Sequence, residues 1–174
     1  MSFCSTCHSH YGPRPSLSRE RRVWLRAAAG AALGAALAGC ASKPVTSTPL
    51  ELTFSVAAGV NPDANGRASP LTLRVYALKS PSAFQSADFF SLFERDSATL
   101  GADLVQREEL LLIPGQSQAL TWSLPLEAKT LAVLAAYREL ERSRWRAVHA
   151  LTVGKAQRLE VRCEARSVTL DPVK

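Results

Sequence analysis

Leu50-Glu51-Leu52-Thr53-Phe54-Ser55-Val56 decides the fold, because apolar side chains fall at every second position with polar ones between them. An extended chain projects successive side chains to opposite faces, so this period predicts a strand with one buried face and one wet face. The pattern recurs downstream. Leu71, Leu73, Val75 and Ala77 alternate with Thr72, Arg74 and Tyr76. Leu120, Trp122 and Leu124 alternate with Thr121 and Ser123. Leu159, Val161 and Cys163 alternate with Arg158, Glu160 and Arg162, and Val168 and Leu170 continue the series. Residues 104–113, 131–137 and 144–153 read as strands with less regular alternation, and Pro114-Gly115 and Val153-Gly154-Lys155 mark turns. About eight short strands at this spacing predict a mainly β, two-sheet sandwich over residues 50–174.

One stretch departs from period two. Ser80-Pro81 reads as a helix start, with a Ser cap and a Pro at the first helical position. Phe84, Phe89, Phe90, Leu92 and Phe93 then cluster without alternation, and Leu100-Gly101 closes the segment as a C-cap would. Residues 81–100 are expected to form a short helical insertion whose phenylalanines pack on the sandwich.

Upstream of the sandwich, residues 43–49 (KPVTSTP) are polar and carry two prolines, the composition of a tether. Before them lies an address. Arg19 to Arg26 is a basic stretch, followed by eleven uncharged residues, 27–37, that are mostly Ala and Gly. A basic segment, a short apolar run and small residues make a secretory signal peptide, and the run is too short and too weakly apolar for a spanning helix. It ends Leu37-Ala38-Gly39-Cys40, which resembles the bacterial lipobox, and Cys40 is expected to carry the lipid. Residues 1–39 are then removed, and residues 40–49 are lipidated Cys and tether. Ala41 and Ser42 follow the cysteine where an Asp would signal inner-membrane retention, so outer-membrane sorting is expected. Arg21-Arg22-Val23-Trp24-Leu25-Arg26 also resembles a twin-arginine export motif, although an Arg-rich general export signal accounts for it. Cys4-Ser5-Thr6-Cys7-His8 spells a c-type haem motif, but it precedes the signal peptide and is expected to be discarded with it, as an over-extended start.

Removal of that segment changes the charge argument. The whole chain carries +6, but residues 41–174 hold 16 basic and 14 acidic residues, a net of +2. The electrostatic case for a nucleic-acid partner mostly disappears with the leader.

Little chemistry is on offer in what remains. His149 is the only histidine beyond Cys40 and alternates with Trp145, Ala147 and Leu151. Cys163 falls on an inward position and reads as an inert thiol. Asp63, Asp88, Asp96 and Asp103 occupy turn and helix-start positions, where capping is their ordinary role. No phosphate-cradling Gly loop, nucleophile elbow or paired Cys motif follows residue 40, so neither enzyme activity nor a cofactor or metal is expected. The informative segment is residues 59–70, GVNPDANGRASP, with Asn-Pro-Asp, Asn-Gly and Ser-Pro in twelve positions. A loop this long between two strands exceeds what a hairpin needs, and long loops on rigid scaffolds often bind partners.

With the lipobox in front of them, Asn61-Pro62-Asp63, Gly66-Arg67, Ser69-Pro70 and Arg74-Val75-Tyr76 resemble the type VI secretion lipoprotein family TssJ (SciN). The resemblance continues in order through Ala87-Asp88-Phe89-Phe90, Leu100-Gly101, Asp103-Leu104, Pro114-Gly115, Ala136-Tyr137-Arg138 and Trp145-Arg146. It implies a transthyretin-like sandwich with a small helical addition. It further implies an outer-membrane lipoprotein facing the periplasm, whose partner is the periplasmic domain of TssM within a TssJ-TssL-TssM envelope complex. The loop between the first two strands takes part in that contact, which points here to Asn61, Asp63, Asn65 and Arg67, with Arg67 foremost. A rival reading gives Asn61, Pro62 and Asp63 only a turn-shaping role. Two other functions stand beside it: a periplasmic lipoprotein sandwich binding a small ligand or peptide, which needs a deep apolar pocket, and an enzyme, which needs a cleft gathering His149 with acids.

Overall fold

Eight strands form, close to the segments that the sequence pattern marks. The structure, a computed structural model, describes residues 45–173. Strands β1 (Ser47–Val56), β4 (Ser117–Pro125), β7 (Gln157–Cys163) and β8 (Val168–Pro172) make one sheet, in the order β4-β1-β7-β8. Strands β2 (Leu71–Leu78), β3 (Leu104–Leu112), β5 (Thr130–Ala135) and β6 (Arg146–Ala150) make the other, in the order β3-β2-β5-β6. All pairings are antiparallel except β1 with β7, which run parallel in the register Leu52↔Leu159. The signal peptide, the Cys40 lipidation site and the haem-like motif lie outside the described residues.

The inward positions are those of the period-two reading. Leu50, Leu52, Phe54, Leu159, Val161 and Cys163 from the first sheet meet Leu71, Leu73, Val75, Leu131 and Val133 from the second. All are buried, and at roughly 25 cal/mol per Å² of apolar area this interface is the main stabilising term. Cys163 is fully buried, and desolvation raises its thiol pKa to about 12, so it is an inert core residue.

Three expectations are corrected. The tether does not extend to Pro49, because β1 begins at Ser47. Residues Ser47–Pro49 pair with β4 alone, since the β7 register starts only at Leu50. A proline is tolerated where its strand has a neighbour on one side only. The helical segment starts one residue later than expected: α1 (Ser82–Ser86) has Pro81 at its N-cap, and Ser80 Oγ accepts from the Ser82 N–H at 3.3 Å. And the second sheet has no wet face over β2 and β5. Their outward side chains Tyr76, Leu78, Ala132 and Leu134 are buried under Phe84 of α1 and Leu92 and Leu100 of α2 (Phe89–Leu100). That double coverage explains why β5 (TLAVLA) is apolar almost throughout rather than alternating.

The insertion is tied down by charge as well as by apolar contact. Asp88 caps α2 by accepting from the Ser91 N–H at 3.0 Å. Arg146 donates to the carbonyls of Phe84 (3.1 Å) and Ala87 (2.9 Å), which satisfies the C-terminal end of α1. Asp96, 5% exposed, accepts from Arg107 of β3 and faces Arg74 of β2 at 3.7 Å. Burial pushes the Asp96 carboxyl up, but Arg107 and the Ser97 N–H outweigh it and hold its pKa below the ordinary value. Of the clustered phenylalanines only Phe84 is fully buried; Phe89 and Phe93 are partly covered, and Phe90 is 60% exposed.

Candidate functional site

Odd-numbered strands all end, and even-numbered strands all begin, at one end of the sandwich. Four connections meet there: 57–70, 113–116, 136–145 and 164–167. Val56 N–H donates to the Gln116 carbonyl (3.2 Å), Asn61 N–H to Ala165 (3.1 Å) and Arg144 N–H to Arg166 (2.9 Å), so the four are stitched into one surface. The segment entering from the tether is at the opposite end.

The four residues singled out from sequence divide into two pairs. Asn61 is 4% exposed with φ 49°, a left-handed conformation that Asn tolerates better than most residues. Both ends of its amide are engaged. Nδ2 donates to the Pro70 carbonyl at 2.9 Å, closing the loop base, and Oδ1 accepts from the Arg138 N–H at 2.9 Å, joining the loop to the β5–β6 connection. A side chain so placed faces its own loop and the β5–β6 connection rather than solvent. Val60, fully buried beside it, plugs the loop into the core.

Asp63 organises the tip. Its Oδ1 accepts from the backbone N–H groups of Asn65 and Arg67, each at 2.9 Å, and its Oδ2 accepts from Arg67 Nε at 2.9 Å. Asp63 N–H donates to the Arg67 carbonyl (2.8 Å), and Gly66 N–H returns to the Asp63 carbonyl (2.9 Å). Gly66 has φ 78°, which its lack of a Cβ makes cheap. The Arg67 N–H holds the Asp63 carboxyl below its ordinary pKa against the opposing effect of desolvation, with the Arg67 guanidinium and the Asn65 N–H adding to the lowering.

Asn65 and Arg67 stand on this frame and face solvent, with the Arg67 side chain 77% exposed. The ion pair to Asp63 restrains the guanidinium at its Nε and Nη2 side without burying it. Restraint before binding lowers the entropy lost on docking.

The sequence placed Tyr137-Arg138 in the family resemblance without giving them a role, and did not point to Glu139 or Arg166, which complete the surface. Arg138 holds Asn61 through its backbone, and Arg166 pairs with Glu139 at 2.9 Å. Tyr137 donates to the Glu164 carbonyl at 3.1 Å. These contacts join residues as many as 77 positions apart, and no local pattern announces them. An open hollow of about 510 Å³ beside this surface is lined by Phe90, Arg138, Glu139, Leu140, Glu141 and Arg142. It is a surface feature, not the deep apolar pocket that ligand binding inside the sandwich requires. His149 is half-buried on edge strand β6, opposite Leu131. Among the described residues no group of three or more His, Cys, Asp or Glu is placed to hold a metal ion.

Residues 48–166 match the model of the family described as type VI secretion lipoprotein, VasD, EvfM, TssJ, VC_A0113. The chain belongs to this family. Its structure is similar to that of the T6SS lipoprotein TssJ1 from Pseudomonas aeruginosa, at 34% identity and a TM-score of 0.72, covering 74% of this chain and 98% of that one. It is also similar to Serratia marcescens Lip, a membrane-bound component of the type VI secretion system, at 27% identity and a TM-score of 0.66, covering 75% and 100%. A chain of the solved structure of the T6SS protein TssM C-terminal domain from EAEC matches at 28% identity and a TM-score of 0.58, covering 72% and 98%. Among curated protein sequences none matches. The family's ordered motifs now have places. Asn61-Pro62-Asp63 with Gly66-Arg67 is the self-bonded loop, and Tyr137-Arg138 and Trp145-Arg146 are the residues that hold it and the helical insertion in place.

Proposed function

We propose that this protein is an outer-membrane-anchored periplasmic lipoprotein, a structural subunit of the type VI secretion membrane complex. It docks the periplasmic domain of TssM, in an assembly that includes TssL, through the loop between β1 and β2. The observation that carries the reading is the division of labour in that loop. Asn61 and Asp63 hold its shape from within, and Asn65 and Arg67 are presented outward on a fixed frame. Family membership and the likeness to a chain of the TssM C-terminal domain structure support the choice of partner.

The direction of the strands supports the geometry. The tether enters at the start of β1, and the loop lies at its end, ten residues on. At about 3.3 Å per residue, the docking loop stands roughly 30 Å from the anchored end. Lipid on Cys40 holds one end at the bilayer, and the other end faces the periplasm. An exposed Arg held by a carboxylate suits a polar or acidic patch on the partner.

Calorimetry of residues 41–174 against the periplasmic domain of TssM from the same organism tests the reading, with 59–70 replaced by a short Gly-Ser turn as comparison. Saturable binding that the replacement abolishes is the expected result. A folded domain that does not bind overturns the docking reading. Cys40→Ser tests the anchor: the expected variant carries no lipid label and leaves the membrane fraction.

A further inference from the structure

The end of the sandwich opposite the docking loop has an unusual surface. Besides Val173 (50%) just past the end of β8, three exposed aliphatic side chains belong to it: Val45 (58%), Leu126 (39%) and Val153 (40%). These three come from the entering chain, the β4–β5 turn and the β6–β7 turn, and Val45 and Leu126 meet at Gly154, the residue after Val153. A Cβ placed on Gly154 would lie 3.1 Å from Val45 Cγ1 and 4.0 Å from Leu126 Cδ2, so the glycine is the floor on which both side chains rest. The turns that carry them are rigid. Gly154 N–H donates to Thr48 Oγ1 at 2.9 Å, and the Gln157 side chain closes on both the N–H and the carbonyl of Thr152. Leu151 N–H donates to the Lys129 carbonyl at 2.8 Å, locking the two turns side by side.

Charge surrounds the apolar tip. Lys129 and Lys155 are exposed beside it, and neither forms an ion pair among the described residues. Lys79 lies at the same end, paired with Glu127 at 3.1 Å. Aliphatic side chains at a tip with lysines around them match the boundary of a bilayer, where apolar groups enter the acyl region and ammonium groups meet phosphates.

The covalent chain decides which occupant reaches this surface. Five residue steps separate Val45 from Cys40. At about 3.3–3.6 Å per step, an acylated Cys40 keeps Val45 within roughly 18 Å of the lipid, less than the length of the sandwich. We infer that the Val45–Leu126–Val153 tip, with Lys129 and Lys155, is a membrane-resting face that seats the domain on the lipid surface with its docking loop pointing away. The inference rests on the lipid-anchor reading of Cys40. One acyl-anchored point alone leaves a domain free to tumble about its tether. A second, apolar point of contact sets its orientation, and its burial adds to the seating.

The test uses the mature acylated protein in phosphatidylethanolamine–phosphatidylglycerol vesicles. An environment-sensitive fluorophore is placed on Val153→Cys, and in a second protein on Asn65→Cys at the docking loop. Cys163 is buried and does not compete for label. Flotation of the vesicles reports the anchor separately. The expected result is blue-shifted emission, quenched by doxyl-labelled lipid, at position 153 and water-like, unquenched emission at position 65. Adding Leu126→Asp to the position-153 protein should abolish its quenching while the protein still floats. Protein that floats with equal, water-like emission at both positions overturns the membrane-resting face. Protein that does not float overturns the anchor itself.

Discussion

The loop at 57–70 and the helical insertion at 82–103 are both long connections flanking the same strand, β2, yet they are held in opposite ways. The loop is bound by short polar contacts. Asp63 takes three N–H groups from residues within four positions, and Asn61 closes the base onto Pro70 and Arg138. The insertion is bound by burial. Phe84, Leu92 and Leu100 cover Tyr76, Leu78, Ala132 and Leu134, with Asp96 held between Arg74 and Arg107. A loop that satisfies itself by backbone hydrogen bonds leaves its outer side chains free to meet a partner. An insertion that places its side chains in a core has few left for recognition. The contrast teaches that polar self-bonding leaves outer side chains exposed, whereas burial uses them up.

Substitutions can break or sharpen the contrast. Phe84→Ala should cost the most, about 3–4 kcal/mol of stability. For a domain of this size that is a fall in Tm of roughly 10–15 °C, read by thermal denaturation, with TssM binding retained below the transition. Lost binding in the still-folded variant would join the insertion to the docking surface and break the comparison. Asp96→Ala should cost about 2 kcal/mol, because it leaves Arg74 and Arg107 facing one another without their shared carboxylate. Asn61→Ala should cost about 1–2 kcal/mol through two lost hydrogen bonds and a left-handed φ, and should weaken TssM binding as well.

Acid should act on both regions. Asp63 and Asp96 have folded pKa values below the ordinary 3.8, so their contribution is full above that value. It is lost as the pH falls through the lower folded value. Urea titrations from pH 6 downward should show stability falling below about pH 4, and Asp96→Asn should flatten that fall. The smallest expected effect on stability is that of Arg67→Ala. Its side chain is mostly exposed, so the Tm should be unchanged while calorimetry shows weakened TssM binding. An Arg67→Ala variant that binds normally would move the contact elsewhere on the loop end.

Much of this was legible along the chain. Leu50 to Val56 announces a half-buried strand because alternate positions of an extended chain face opposite ways, and that holds whatever strand lies beside it. Asn-Pro-Asp and Asn-Gly announce a turn because Pro and Gly restrict or free the backbone locally. Boundaries were less clear. Pro49 reads as tether but belongs to β1, because its tolerance depends on where β7 begins to pair. Phe90 reads like Phe84, yet one is exposed and the other buried, which only the path of the helices over the sheet decides.

The sequence by itself determined the eight strands, the position of the long polar loop between β1 and β2 and the order of the family's motifs, because each is written in residues a few positions apart. The tertiary structure alone decided the strand order, the parallel pairing of β1 with β7 and the covering of the second sheet. It also decided that Asn61 turns inward while Arg67 turns outward, though both stand in the same polar loop. Those outcomes depend on contacts between residues as many as 107 positions apart, such as Glu51 with Arg158 and Asn61 with Arg138. Local alternation says that a face will be buried; the packing of distant segments selects what buries it.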